Sequence, residues 1–173
     1  NNKANTNRKN TSETVRDYLI LLLFTGLRSS EGINLEWSNI DFKNELLSIQ
    51  DTKNREDHTI PLTQYILDLL EARKKASQGN YVFPGYDPSK ALVSPNKQVK
   101  KVINDSGVQF LLHDLRRTFA TYADSLKIQH NTIKRLMNHK NNDVTSMHYI
   151  HQSIETLRDP MQKITDYIID KSK

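Results

Sequence analysis

His113 and Arg116 stand three residues apart, the spacing that puts two side chains on one face of a helix. At a helix start the backbone dipole also favours an anion, so the pair could form a phosphate site. Taken alone, the same two residues read more readily as a capping or core histidine beside a solvated arginine. Arg28 lies in Thr25-Gly26-Leu27-Arg28-Ser29-Ser30-Glu31, just past an apolar helical run, where Glu31 at i+3 can orient its guanidinium as a fixed anion fork. Lys53 falls among Asp51, Asn54, Arg55, Glu56 and Asp57, where a cation on a hairpin could reach into a site from outside it. By itself Lys53 is an ordinary solvated lysine. His139 closes Leu136-Met137-Asn138-His139, and Tyr149 follows in Val144-Thr145-Ser146-Met147-His148-Tyr149.

The elements that must position these groups are legible as periodicity. Ser12 can cap a helix in which Val15, Tyr18, Leu19, Leu22 and Leu23 recur at helical spacing until Gly26 stops it. A shorter helix is expected from about Ser29 to Trp37, and residues 39–43 read as a turn. Leu46 to Gln50 and His58 to Leu62 read as two strands of a hairpin with a charged tip, with Pro61 pushing the second toward a sheet edge. A helix follows over residues 64–76, and Tyr81 to Phe83 is a candidate third strand. Ser94-Pro95 opens a helix carrying Val99, Val102 and Ile103 that ends near Gly107. Leu115, Phe119, Tyr122 and Leu126 stripe a helix from about His113, Asn131 caps a short one, and a last runs from about Ile154 to Ile169. The fold class is mainly α with a small antiparallel β-sheet, an α+β arrangement.

At 173 residues and 36% apolar content the chain suits one domain. Residues 1–11, rich in Asn with Lys3, Arg8 and Lys9, are expected to be a linker, and 12–173 a single domain with a tail helix. The opening Asn1 suggests a fragment whose upstream part lies outside this sequence. A formal charge of +5 and a pI of about 9.3 favour a polyanionic partner. The absence of cysteine excludes disulfides, thiolate zinc sites and a thiol nucleophile. No apolar run approaches the roughly 18 residues of a membrane span, and the cytoplasm is the expected compartment. His148 and His151 flank Tyr149 at a spacing a metal could use, but no third ligand of matching spacing stands out, so no metal and no cofactor are expected.

The order Arg, Lys, His-x-x-Arg, His, Tyr across Arg28, Lys53, His113, Arg116, His139 and Tyr149 resembles the active site of tyrosine recombinases of the phage-integrase family. Thr-Gly-Leu-Arg-x-x-Glu and His-Asp-Leu-Arg-Arg-Thr-Phe-Ala-Thr are similar to segments of that family, and the resemblance runs from about Ser12 to His151. Two departures stand out. Asn138 occupies a position where the family usually has glycine, and asparagine is the next-best occupant of a left-handed backbone position. The interval from His139 to Tyr149 is one residue longer than the commonest form.

The resemblance implies the tyrosine recombinase catalytic-domain fold and a site-specific recombinase that breaks and rejoins double-stranded DNA, for integration or excision of a phage or mobile element. Tyr149 would attack the phosphodiester, leaving a 3′-phosphotyrosine and a free 5′ hydroxyl, and conserving the bond energy without a nucleotide cofactor. Arg28 and Arg116 would stabilise the growing charge and His139 would add a donor, while Glu31 supports Arg28. His113 would accept the tyrosine proton and Lys53 would protonate the leaving 5′ oxygen. The family works as four protomers on two duplexes, so a homotetramer on DNA and a monomer in isolation are expected. The stripe of Ile154, Leu157, Met161, Ile164 and Ile168 then suggests a tail that docks on a neighbouring protomer, although it could equally fold back on its own domain. Lys97, Lys100, Lys101, Lys134, Arg135 and Lys140 could add phosphate contacts. A type IB topoisomerase shares this chemistry, a helical DNA-binding module would have no use for Tyr149, and a Mg²⁺-dependent nuclease lacks an obvious acidic cluster here.

Overall fold

The computed structural model describes residues 2–50, 57–139 and 154–173, with side chains from Glu13 onward. Helix α1 (Asn2–Thr25) is the central element: Val15, Tyr18, Leu21 and Leu22 are buried along it, and α2, α3, α4, α5 and α7 all pack against it. It begins at Asn2, not at Ser12, so the stretch expected as a linker is helical. No glycine or proline interrupts residues 1–25, and Lys, Ala and Arg there carry good helix propensity. Gly26 ends α1 with φ +66, and a Cβ there would stand 2.7 Å from Phe119 Cδ1. Glycine thus lets the end of α1 approach α5 closely.

Helix α2 (Ser29–Ile33) stops short of the expected Trp37, and its N-cap is Arg28, not Ser29. The chain turns extended because residues 80–82 take its backbone groups: Trp37 N–H donates to Asn80 O at 2.8 Å and Val82 N–H to Leu35 O at 2.8 Å. Those single bridges also explain why Tyr81 to Phe83 is not a strand of the sheet. The third strand is instead β1 (Ile40–Asp41), which sequence reading assigned to a turn. With β2 (Leu46–Ile49) and β3 (His58–Pro61) it forms an antiparallel sheet ordered β1-β2-β3, leaving β3 and its proline at an edge as expected. The register pairs Ile40 with Leu47, Leu47 with Ile60 and Ile49 with His58, and Leu47 and Ile60 are fully buried. The expected charged tip of this hairpin, residues 51–56, lies outside the described residues.

Helix α3 (Gln64–Ala76) carries Arg73 into a buried cluster, where its Nη1 donates to Asp17 at 2.8 Å and its Nε to Val82 O at 3.1 Å. Helices α4 (Asn96–Ser106), α5 (Leu112–Ser125) and α6 (His130–Leu136) follow. Gly107, at φ +70, caps α4 as anticipated, whereas Gln129 rather than Asn131 precedes α6.

The tail takes one of the two placements that the sequence left open. A 3-10 turn (Ile154–Leu157) packs on β3, and helix α7 (Arg158–Lys171) lies on α1 and α5 of the same chain. Leu157, Met161, Ile164 and Ile168 are 0–5% exposed. Tyr167 stacks edge-on against Tyr122 at 5.1 Å, and Thr165 Oγ1 donates to Thr63 Oγ1 at 3.3 Å. Arg158 fastens the start of α7 to the turn after β1, donating to Asn44 O at 2.8 Å and pairing with Glu45 at 3.2 Å. In this chain the stripe is covered in cis, because α1, α5 and β3 leave a groove that it fills. Four such side chains at about 2 kcal/mol each approach the whole stability of a domain, about 5–15 kcal/mol. A chain ending at residue 153 is accordingly expected to lose its cooperative thermal transition by circular dichroism; a native-like melt would show that α7 is dispensable to the core.

Candidate active site

The site is built on the end of α6. Asn138 takes φ +49, the left-handed conformation expected of it, and the helix closes with His139 N–H donating to Lys134 O at 2.9 Å and Asn138 N–H to Arg135 O at 3.2 Å. This pair of bonds is the Schellman arrangement, and it turns the next carbonyls outward from the helix. Arg116, 3% exposed on α5, donates Nη1 to Gly26 O and Nη2 to Met137 O. Arg28 donates Nη2 to Asn138 O at 3.0 Å. Successive carbonyls of one helix end thus hold two guanidiniums that come from elements far apart in sequence, at the electronegative pole of the helix.

Glu31 completes the arrangement. One carboxylate oxygen accepts from Arg28 Nη1 at 2.8 Å and the other from the Arg28 backbone N–H at 2.8 Å, so a single side chain caps α2 and orients the fork. With Glu31 negative, the pair of arginines leaves the cluster one net positive charge, which the single charge of a phosphodiester would neutralise. Burial, with Arg28 beside it and Glu31 opposing, lowers the Arg116 pKa to about 10, so it is cationic at neutral pH. Each guanidinium spends one N–H of each Nη on these protein partners, and the remaining hydrogens can serve an anion.

His139 follows directly on Asn138. Partial desolvation, together with Arg116, Arg28, Lys134 and His130, depresses its pKa below the ordinary histidine value. At neutral pH it is therefore a neutral imidazole able to donate one hydrogen bond. His113 lies in the first turn of α5 and is exposed, one turn before buried Arg116. Arg28, Glu31, Arg116 and His139 are thus brought together, His113 stands at the surface nearby in sequence, and Lys53 and Tyr149 lie outside the described residues. Of the basic candidates, Lys97, Lys100 and Lys101 are exposed on α4, Lys134 and Arg135 are half-buried on α6, and Lys140 is not described.

Sequence reading missed His58, which is 4% exposed on β3 with Nε2 3.2 Å from Arg135 O. A polar residue on the inward, period-two face of a strand beside Ile60 was the available signal. Tyr18, by contrast, is a core tyrosine as expected: its hydroxyl donates to Ser29 O at 2.9 Å and burial pushes its pKa up.

A sequence profile of the phage integrase family matches residues 2–156. The chain belongs to the phage integrase family. Over 161 residues it is 29% identical to prophage integrase IntF of Escherichia coli K12, covering 90% of this chain and 34% of that protein. The chain therefore spans about a third of the length of that relative. Among solved structures, the integrase from mycobacterium phage Brujita superposes with TM-score 0.69 at 18% identity, covering 92% of this chain and 56% of that one. The Tn1549 transposon integrase, solved in complex with transposon right end DNA, superposes with TM-score 0.61 at 21% identity, covering 88% and 59%. These likenesses establish the fold of the integrase-family domain.

Within this integrase-family site Glu31 is the sole carboxylate that the described contacts give to Arg28 or Arg116. Its loss leaves two largely buried cations uncompensated and α2 uncapped, which costs about 2–3 kcal/mol. Glu31→Ala is expected to shift urea unfolding by that amount, and Glu31→Gln, which keeps an acceptor for the Arg28 N–H, by less.

Proposed function

We propose that this chain is the catalytic domain of a site-specific DNA recombinase that cleaves and rejoins DNA through a phosphotyrosine intermediate on Tyr149. The observation that carries the reading is the arginine pair held on the consecutive Met137 and Asn138 carbonyls at the end of α6, with Glu31 paired to Arg28, an arrangement suited to one phosphodiester. Family membership supports the same chemistry. The phenolic oxygen of Tyr149 attacks phosphorus and its proton passes to His113; the 5′ oxygen leaves with a proton from Lys53, and the 3′ phosphate stays on the tyrosine. Arg28, Arg116 and His139 stabilise the non-bridging oxygens as charge grows. Attack by another 5′ hydroxyl reverses the step on a new partner strand. The substrate is double-stranded DNA at the ends of a phage or mobile element in the cytoplasm. Exchange takes place in an assembly of four protomers in which each α7 keeps its own core covered.

The test is a nicked duplex that traps the covalent adduct, drawn from the ends of the genetic element that encodes the chain. Tyr149→Phe is expected to abolish the adduct while leaving DNA affinity within about twofold, because only the nucleophilic oxygen is lost. Cleavage is expected to persist in excess EDTA, with arginines supplying the charge stabilisation; inhibition reversed by Mg²⁺ would overturn the mechanism.

Lys53→Ala is expected to slow cleavage of ordinary DNA about 10²-fold or more and to recover on a duplex with sulfur at the bridging 5′ position, since a thiolate leaves without a proton. Equal impairment on both substrates would reduce Lys53 to a phosphate contact.

A further inference from the structure

His58 is a costly residue to bury for packing alone. It is 4% exposed, and its Nδ1 has no hydrogen-bond partner among the described residues. A buried polar atom left unpaired costs about 1–3 kcal/mol, which an apolar side chain of similar volume would avoid. Its other nitrogen explains its presence: Nε2 lies 3.2 Å from the Arg135 carbonyl. A carbonyl only accepts, so Nε2 carries the hydrogen and Nδ1 is the bare nitrogen. The Arg135 carbonyl belongs to the same helix end whose Met137 and Asn138 carbonyls hold Arg116 and Arg28.

We propose that His58 is a positioning residue for the arginine pair: as a neutral imidazole it pins the end of α6 to β3, and so sets both guanidiniums relative to the hairpin. The proposal rests on the recombinase reading for its catalytic consequence, and on geometry alone for its effect on the anion site. Burial between several elements favours the neutral form. Glu31 faces His58 from α2 and Arg116 from α5, while α6 presents the Arg135 and Leu136 backbone. The 3-10 turn packed on β3 brings Glu155, already paired with Arg158 at 2.7 Å. A protonated His58 would be a third cation beside Arg116 and Arg28, with the Glu31 carboxylate already paired to Arg28. Burial accordingly holds its pKa below the ordinary 6.5, with Glu31 opposing and Arg116 adding to the effect. The unfolded chain therefore binds this proton first on acidification, so stability falls as pH drops below 6.5 toward the folded value.

The whole 173-residue chain serves for the test, with inorganic phosphate as the probe of the arginine pair and the nicked duplex as the probe of cleavage. His58→Phe keeps bulk but removes the donor, and is expected to weaken phosphate binding and slow adduct formation about tenfold each, the effect of about 1.4 kcal/mol. His58→Gln keeps a donor that reaches Arg135 O, and is expected to stay within about twofold of the parent in both assays and to flatten the acid loss of stability. Nitrogen NMR of the parent is expected to show the neutral Nε2–H form at neutral pH. Should His58→Phe fail to fold, His58→Asn, whose shorter amide falls short of the carbonyl, takes its place against His58→Gln. A folded His58→Phe or His58→Asn that binds phosphate and cleaves like the parent overturns the proposal, as does a doubly protonated ring at neutral pH. If the parent itself forms no adduct, the recombinase reading falls, and the phosphate comparison still decides the role of His58.

Discussion

The end of α6 is the constraint on which the site depends. A helix C-terminus leaves carbonyls unpaired, and here those carbonyls are the anchor for cations that must be held apart from water yet close to one another. Asn138 in the left-handed region makes this possible, because the chain reverses without spending the Met137 and Asn138 oxygens on the helix itself. Arg116 and Arg28 then satisfy those oxygens, and the helix pole lowers the cost of placing two positive groups side by side. Elsewhere two neighbouring buried guanidiniums would repel; here they are part of the same hydrogen-bonded frame as Glu31.

The rest of the fold serves to bring four segments to that frame. Gly26 stops α1 and brings its last carbonyl to Arg116, and the close approach of Gly26 to Phe119 sets the depth at which α5 lies. Glu31 sets the first turn of α2 and the Arg28 fork in one motion. The sheet carries His58 to the Arg135 carbonyl of α6, and the 3-10 turn packed on β3, together with Arg135 Nη1 donating to Thr156 Oγ1 at 3.3 Å, ties residues 154–157 to the same strand and helix. Rigid elements therefore meet the site from several directions, which is what preorganisation of charge requires.

Much of this was legible beforehand. The periodicity that marks α1, α3, α4, α5 and the tail helix is local, and so are the stops at Gly26 and Gly107, since a residue's own backbone preference decides them. The pairing of Arg28 with Glu31 and the left-handed turn at Asn138 were likewise readable, because both partners lie within one turn of each other. The family and its ordered set of polar residues followed from the sequence for the same reason: motif spacing is a one-dimensional property.

What only the tertiary structure decided are the outcomes of competition between distant groups. Residues 80–82 claimed the backbone of Leu35 and Trp37, which ended α2 early and displaced the third strand to Ile40–Asp41. The apolar stripe of the tail announced that something must cover it, but whether that cover is the same chain depends on the groove left by α1, α5 and β3, a shape with no local sequence signature. His58 read as an ordinary strand residue until its ring met a carbonyl 77 positions away in the chain. Arg116 shows the division most clearly: its type and spacing in the sequence suggested an anion site, while its burial and its grip on Gly26 and Met137 exist only because the packed core excludes the water that would otherwise solvate it.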